Sequence, residues 1–114
     1  MDIGEKIYAL GNRLFPICRS ITGDGVRETL WILREIVPDL TVSEVPTGTK
    51  VFDWEVPKEW NIRDAWIKNS KGEKVLDFKE TNLSVVGYSV SVDKKMSLEE
   101  LLPLIYTQPD QPDA

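Results

Sequence analysis

The chain has 114 residues, 14 Lys and Arg against 19 Asp and Glu, a formal net charge of −5, one cysteine and no histidine. Area scaling for 13.0 kDa gives roughly 6,300 Å² of folded surface against about 19,000 Å² unfolded, so about two-thirds of the surface could be buried around one core. Without histidine, the chain has no Ser-His-Asp or Cys-His catalysis, no imidazole acid/base group and no histidine-bearing zinc site. An acidic chain with no Lys/Arg stripe gains little from phosphate neutralisation, so nucleic acid is not an expected partner.

Cys18 cannot close an intramolecular disulfide or supply a cysteine-rich metal cluster, which fits a reducing compartment. No apolar run approaches the ~18 to 20 residues of a transmembrane helix, and the opening Met1-Asp2-Ile3-Gly4-Glu5 lacks the order of a signal peptide. The expectation is a cytoplasmic protein with no membrane partner.

In chain order, Ile3, Ile7, Leu10 and Leu14 recur at helical spacing and predict a first helix that stops before Pro16. Cys18 to Gly25 reads as a loop, with Asp24 the expected N-cap of a second helix that carries Val26, Leu30, Leu33 and Val37 up to Pro38. From Leu40 the period changes to two. Leu40 to Val45 predicts a strand, and Phe52, Trp54 and Val56 predict one face of the next. Ile62–Lys68 and Lys74–Lys79 flank Asn69-Ser70-Lys71-Gly72-Glu73 as a hairpin. Val86, Tyr88, Val90 and Val92 complete about five antiparallel strands. Ser97-Leu98-Glu99-Glu100 is a capping box opening a short helix broken by Pro103. After Tyr106 the composition is that of a linker. The expected class is α+β: two N-terminal helices, a central antiparallel β module of about five strands and one short C-terminal helix.

The Gly23-Asp24-Gly25 loop enters a helix but lacks the preceding strand and the Lys-Ser/Thr of a phosphate loop, so a capping role is favoured. Cys18 beside Arg19 is a candidate nucleophile; with no histidine base anywhere in the chain, an inert thiol is favoured. Asp53 and Glu55 share a strand face and could chelate a cation or act as an acid/base pair, although alternation alone places them on a solvated face. Trp54, Trp60 and Trp66, with Arg63 nearby, suit either a small core or an adhesive surface. The candidate binding residues are Trp54, Trp60, Asp53 and Arg19; no catalytic or metal-ligating residue is assigned.

The run Leu14-Phe15-Pro16-Ile17-Cys18-Arg19-Ser20-Ile21-Thr22-Gly23-Asp24-Gly25-Val26-Arg27 resembles the opening of a bacterial and archaeal family of zinc-aminopeptidase-like proteins filed under domains of unknown function. So do Pro46-Thr47-Gly48-Thr49-Lys50-Val51-Phe52-Asp53-Trp54-Glu55-Val56-Pro57, Trp60-Asn61-Ile62-Arg63-Asp64-Ala65, Asn82-Leu83 and Val86-Gly87-Tyr88-Ser89. The resemblance implies a larger protein with an α/β zinc-exopeptidase core, a β-rich module inserted near its N-terminus and a C-terminal winged helix. Its zinc ligands would lie downstream of Ala114, so none is carried over onto this chain. It further implies that residues 1–46 begin the peptidase core, 47–97 form the inserted module and 98–114 lead back through a short helix and linker tail.

The expected function is the non-catalytic N-terminal portion of such a protein, a lid or interaction module near the active-site cleft or a subunit contact. Its expected partners are the downstream catalytic domain and a second copy of the chain. The alternative is a stand-alone β-rich domain that binds protein or glycan; a small carboxylate enzyme using Asp53, Glu55 or Asp77 is the weakest reading. No cofactor is expected in this chain, zinc being expected in the full-length family. The chain alone should hold no stoichiometric zinc and turn over no peptide; metal analysis finding one tightly held zinc per chain would overturn the first expectation.

Overall fold

The structure, a computed structural model, describes residues 1–112. Helix α1 spans Ile3–Leu14. Its start is set by a reciprocal capping box: Glu5 N donates to Asp2 Oδ1 at 2.8 Å and Asp2 N donates to the Glu5 carboxylate at 2.9 Å. Helix α2 spans Asp24–Ile36. Its N-cap is Gly23, at φ +97°, and not Asp24 as the sequence suggested. Glycine is the residue for which this backbone region carries no Cβ penalty. Having no side chain, it leaves the cap to be supplied from elsewhere: Asn61 Oδ1 accepts from Asp24 N at 2.7 Å.

The centre consists of two separate hairpins, each a two-stranded antiparallel sheet. In the first, β1 (Lys50–Val51) pairs with β2 (Trp54–Glu55), with Val51 opposite Trp54 and Lys50 opposite Glu55. Hydrogen bonds from Gly48 N to Val56 O and from Val56 N to Thr49 O, both 2.9 Å, extend this pairing. In the second, β3 (Trp66–Lys68) pairs with β4 (Lys74–Asp77), with a bulge after Ile67. Asn69 shapes its turn by accepting from Lys71 N and Glu73 N, both at 3.0 Å. A single 3₁₀ turn covers Asn82–Ser84. Helix α3, Leu98–Leu101, starts on the expected Ser97–Glu100 capping box and passes into a 3₁₀ turn, Leu102–Leu104, at Pro103.

The α+β class stands, but the five-strand module does not: the described residues hold four short strands in two hairpins. Residues 40–45 and 86–92 alternate in polarity without forming strands, and Val42, Val45, Val90 and Val92 are exposed. Alternation places side chains on two faces, but a strand also requires a neighbour to pair its amides. The predicted continuous strand through Phe52, Trp54 and Val56 is interrupted by a two-residue turn at Phe52-Asp53. The linker tail expected after Tyr106 has no helix or strand as far as Pro112; Asp113 and Ala114 lie outside the described residues.

The estimate of one self-sufficient core also fails. Accessible surface is 10176 Å², against roughly 6,300 Å² for a compact chain of this mass. The radius of gyration is 18.2 Å, where compact packing gives about 13 Å. Ile32, 5% exposed, is the one buried large apolar residue described. On α1, Leu10 and Leu14 are half-buried while Ile3 and Ile7 are exposed; on α2, Val26, Leu30 and Leu33 are half-buried while Trp31 and Ile36 are exposed. No described helix is long and apolar enough to cross a membrane. Asn61→Ala should lose about 1 kcal/mol of capping energy, read as roughly fivefold faster hydrogen exchange in the first turn of α2.

Candidate functional site

Three segments distant in sequence meet at the start of α2: the Thr22-Gly23 loop, residues 58–61 and the loop around Tyr88. The indole of Trp60 stacks on the Tyr88 ring with centroids 5.9 Å apart and planes at 24°, an arrangement favoured by the ring quadrupoles. Trp60 N donates to Thr22 Oγ1 at 3.0 Å, Thr22 Oγ1 and Tyr88 OH lie 2.7 Å apart, and Tyr88 OH donates to Lys58 O at 3.0 Å. Tyr88 has one hydroxyl proton and gives it to Lys58 O, so the Thr22 hydroxyl must donate to Tyr88. The relay therefore has one direction, and each bond polarises the next. Trp60 Nε1 completes the joint by donating to Ser89 O at 2.9 Å.

Beside this relay, Arg27 of α2 grips Glu59 bidentately, at 2.7 and 2.6 Å, and also reaches Asp24 at 2.8 Å. The fork matches a carboxylate in geometry as well as charge. It holds the Glu59 carboxyl down to about 2 and raises Arg27 above its ordinary value. Arg13, in the last turn of α1, makes a bidentate pair with Glu35 of α2. The pairing lowers the Glu35 carboxyl. All these groups remain partly exposed.

Two shallow concavities flank the joint. One, of about 380 Å³, is lined by Pro16, Cys18, Thr22, Glu28, Asn61 and Arg63 among others; a second, of about 220 Å³, includes Phe15, Cys18, Arg19, Trp60 and Leu83. Trp60 and Arg19, both singled out from the sequence, thus meet at the second. Arg19 Nη1 donates to Leu14 O at 2.8 Å and to Thr29 Oγ1 at 3.3 Å, bracing the loop between α1 and α2. Trp54 and Asp53 lie instead on the β1–β2 hairpin, with Trp54 48% exposed and Asp53 in the turn. Glu55 is engaged by Lys50 at 2.6 Å and Asp77 by Lys74 at 2.9 Å. Trp66 carries the Lys68 ammonium 4.5 Å from its ring centroid.

Cys18 is half-buried, and a Cβ on Gly25 would run into the Cys18 carbonyl, so this approach of loop to helix depends on glycine. Among the described residues, no three His, Cys, Asp or Glu side chains gather into a set able to hold a metal ion, and no buried side-chain N or O lacks a partner. The joint is a satisfied polar lattice that fixes loop geometry; it assembles no nucleophile with a base. Sequence reasoning missed Thr22, Arg27, Glu59, Asn61 and Tyr88 as its parts. Their separations, up to 66 residues, leave no local period, and the sole trace was that all five except Glu59 fall within the runs that carry the family resemblance.

The ion pair to Glu59 has a pH consequence. Its carboxyl is depressed from 4.5 to about 2, so the stability it contributes is complete above pH about 4.5 and is lost as pH falls toward about 2. Comparing denaturation of the wild type with Glu59→Gln across that window should show the two curves converging at the acid end.

Residues 8–106 match a family described as a domain of unknown function, DUF4910. A protein from Clostridium acetobutylicum, provisionally named for polysaccharide biosynthesis and an aminopeptidase-like domain, is 60% identical over 112 residues, which cover 98% of this chain and 26% of the relative. A crystal structure from Clostridium acetobutylicum, provisionally named a peptidase, matches with a TM-score of 0.91 at 61% identity, covering 96% of this chain and 26% of that one. The chain thus spans about a quarter of the length of these relatives. With its matched segment running from within α1 through α2, both hairpins, the Trp60–Tyr88 joint and α3, the chain belongs to the DUF4910 family of domains of unknown function.

Proposed function

We propose that this chain is the non-catalytic N-terminal portion of a larger, cytoplasmic aminopeptidase-like protein. Its helices pack against the catalytic part, and its hairpins form a lid or contact surface beside the active-site cleft or at a subunit boundary. The observation that carries this reading is apolar surface left uncovered in a shared conformation. Ile3, Ile7, Trp31 and Ile36 are exposed on α1 and α2, yet the backbone matches a quarter of a longer, provisionally named peptidase at a TM-score of 0.91. A conformation shared at 61% identity with part of a longer polypeptide, with large apolar side chains uncovered on two of its helices, suits burial of those side chains by the remainder of that polypeptide.

On this reading residues 1–46 belong with the peptidase core, 47–97 form the inserted β-rich module and 98–114 return to the core. Zinc, expected in the full-length family, finds no fitting donor set here: the chain has no histidine and one cysteine, and its described carboxylates form no metal-holding group. Any zinc would therefore be held by the remainder, and no chemical step is assigned to residues of this chain.

Dividing the intact protein into this chain and its remainder, and co-expressing the two, tests the reading. The pieces should co-elute, with zinc in the remainder, and Ile7→Glu on the exposed face of α1 should weaken their association by at least tenfold. A chain that elutes alone as a monodisperse monomer, while the remainder keeps full peptide turnover, would overturn it.

A further inference from the structure

Two residues other than glycine hold a positive φ among those described: Tyr88 at +65° and Phe52 at +53°. For a bulky aromatic this region is costly and persists only where surrounding contacts over-determine it. For Tyr88 those contacts are visible: the stack on Trp60, the bond with Thr22 and the bond to Lys58 O. For Phe52 the backbone pairing of the hairpin holds the turn, and the side chain contributes no contact. Its side chain is 102% exposed at the tip of the β1–β2 hairpin.

The turn chemistry makes this choice of residue more pointed. Phe52 and Asp53 are the two central residues of a tight hairpin loop, with φ positive at the first and not at the second. That sign pattern belongs to the turn type whose first central residue is normally glycine. Phenylalanine here is unfavourable for the turn, and its ring has nothing to pack on within the chain. Trp54, partly exposed beside it, adds a second aromatic to the same tip. The hairpin holds its shape through bonds remote from the ring, those joining Gly48, Thr49 and Val56.

We propose that the β1–β2 hairpin is an aromatic knob whose Phe52 ring seats in an apolar socket on the remainder of the same polypeptide. The choice of occupant rests on length: about three-quarters of each relative lies outside the segment this chain matches. This deepens the reading of the chain as one part of a larger protein and depends on it. It also assigns the contact to Phe52, whereas sequence reasoning pointed to Trp54 or Trp60; Trp60 is spent internally on Tyr88, Thr22 and Ser89.

Phe52→Gly and Phe52→Asn in the intact protein give a test with a sign, because both residues suit a positive φ. If the ring is merely an unfavourable turn residue in solvent, relief of strain leaves the hairpin as protected as before or more so. If the ring fills a socket, hydrogen exchange at the Gly48 and Val56 amides should rise by about tenfold or more, the usual consequence of removing a buried aromatic anchor. Phe52→Leu, which keeps an apolar side chain, should fall between. Exchange in the variants that is unchanged or slower overturns the proposal, as does wild-type protection that is lost on dilution, since that would place the socket on a second copy. Ile7→Glu reads the helix face independently, so loss of association there with no effect at Phe52 would sink the knob alone.

Discussion

The rest of the structure depends on how the start of α2 is held. A helix that begins on glycine has no capping side chain of its own, and the free amides of its first turn must find acceptors elsewhere. Asn61 supplies one from 37 residues away, and Arg27 clamps the same segment through Glu59. Around this point the Trp60–Thr22–Tyr88–Lys58 relay ties the loop before α2 to both later loops. Each donor in the relay has one acceptor, so its bonds run in one direction and reinforce one another.

This joint explains how a chain with so little buried apolar surface holds a defined arrangement of its loops. Its tertiary contacts are polar and aromatic; the apolar stripes of α1 and α2 remain partly open. Hydrophobic burial dominates the folding of independent domains, and here that term is underused. Hydrogen bonds set much of its internal geometry, while large apolar side chains of its helices stay exposed. The relatives it matches are about four times as long.

Local chemistry was legible in particular residues. Ser97 and Glu100 announced their capping box, and Pro16 and Pro38 bounded the helices. Asn69 to Glu73 announced a turn, and that turn is present. The strands at 40–45 and 86–92 were misread because alternation reports only two-sidedness, and neither segment has a paired neighbour. Phe52 was misread for a related reason: its place in an alternating run hid that it occupies a turn. Of the candidate binding residues, Trp60 and Arg19 share one concavity, while Trp54 and Asp53 belong to the separate β1–β2 hairpin.

By itself the sequence determined what this chain lacks and where its helices run, because the absence of histidine, proline stops and capping boxes act through residue identity or over three or four neighbouring positions. Only the tertiary structure decided that Gly23 is capped by Asn61, that Tyr88 and Trp60 form one joint, and that a single large apolar residue among those described is buried. Those outcomes depend on contacts between positions tens of residues apart. Such contacts leave no period in the chain, and the same apolar stripe reads alike whether its cover comes from within the chain or from outside it.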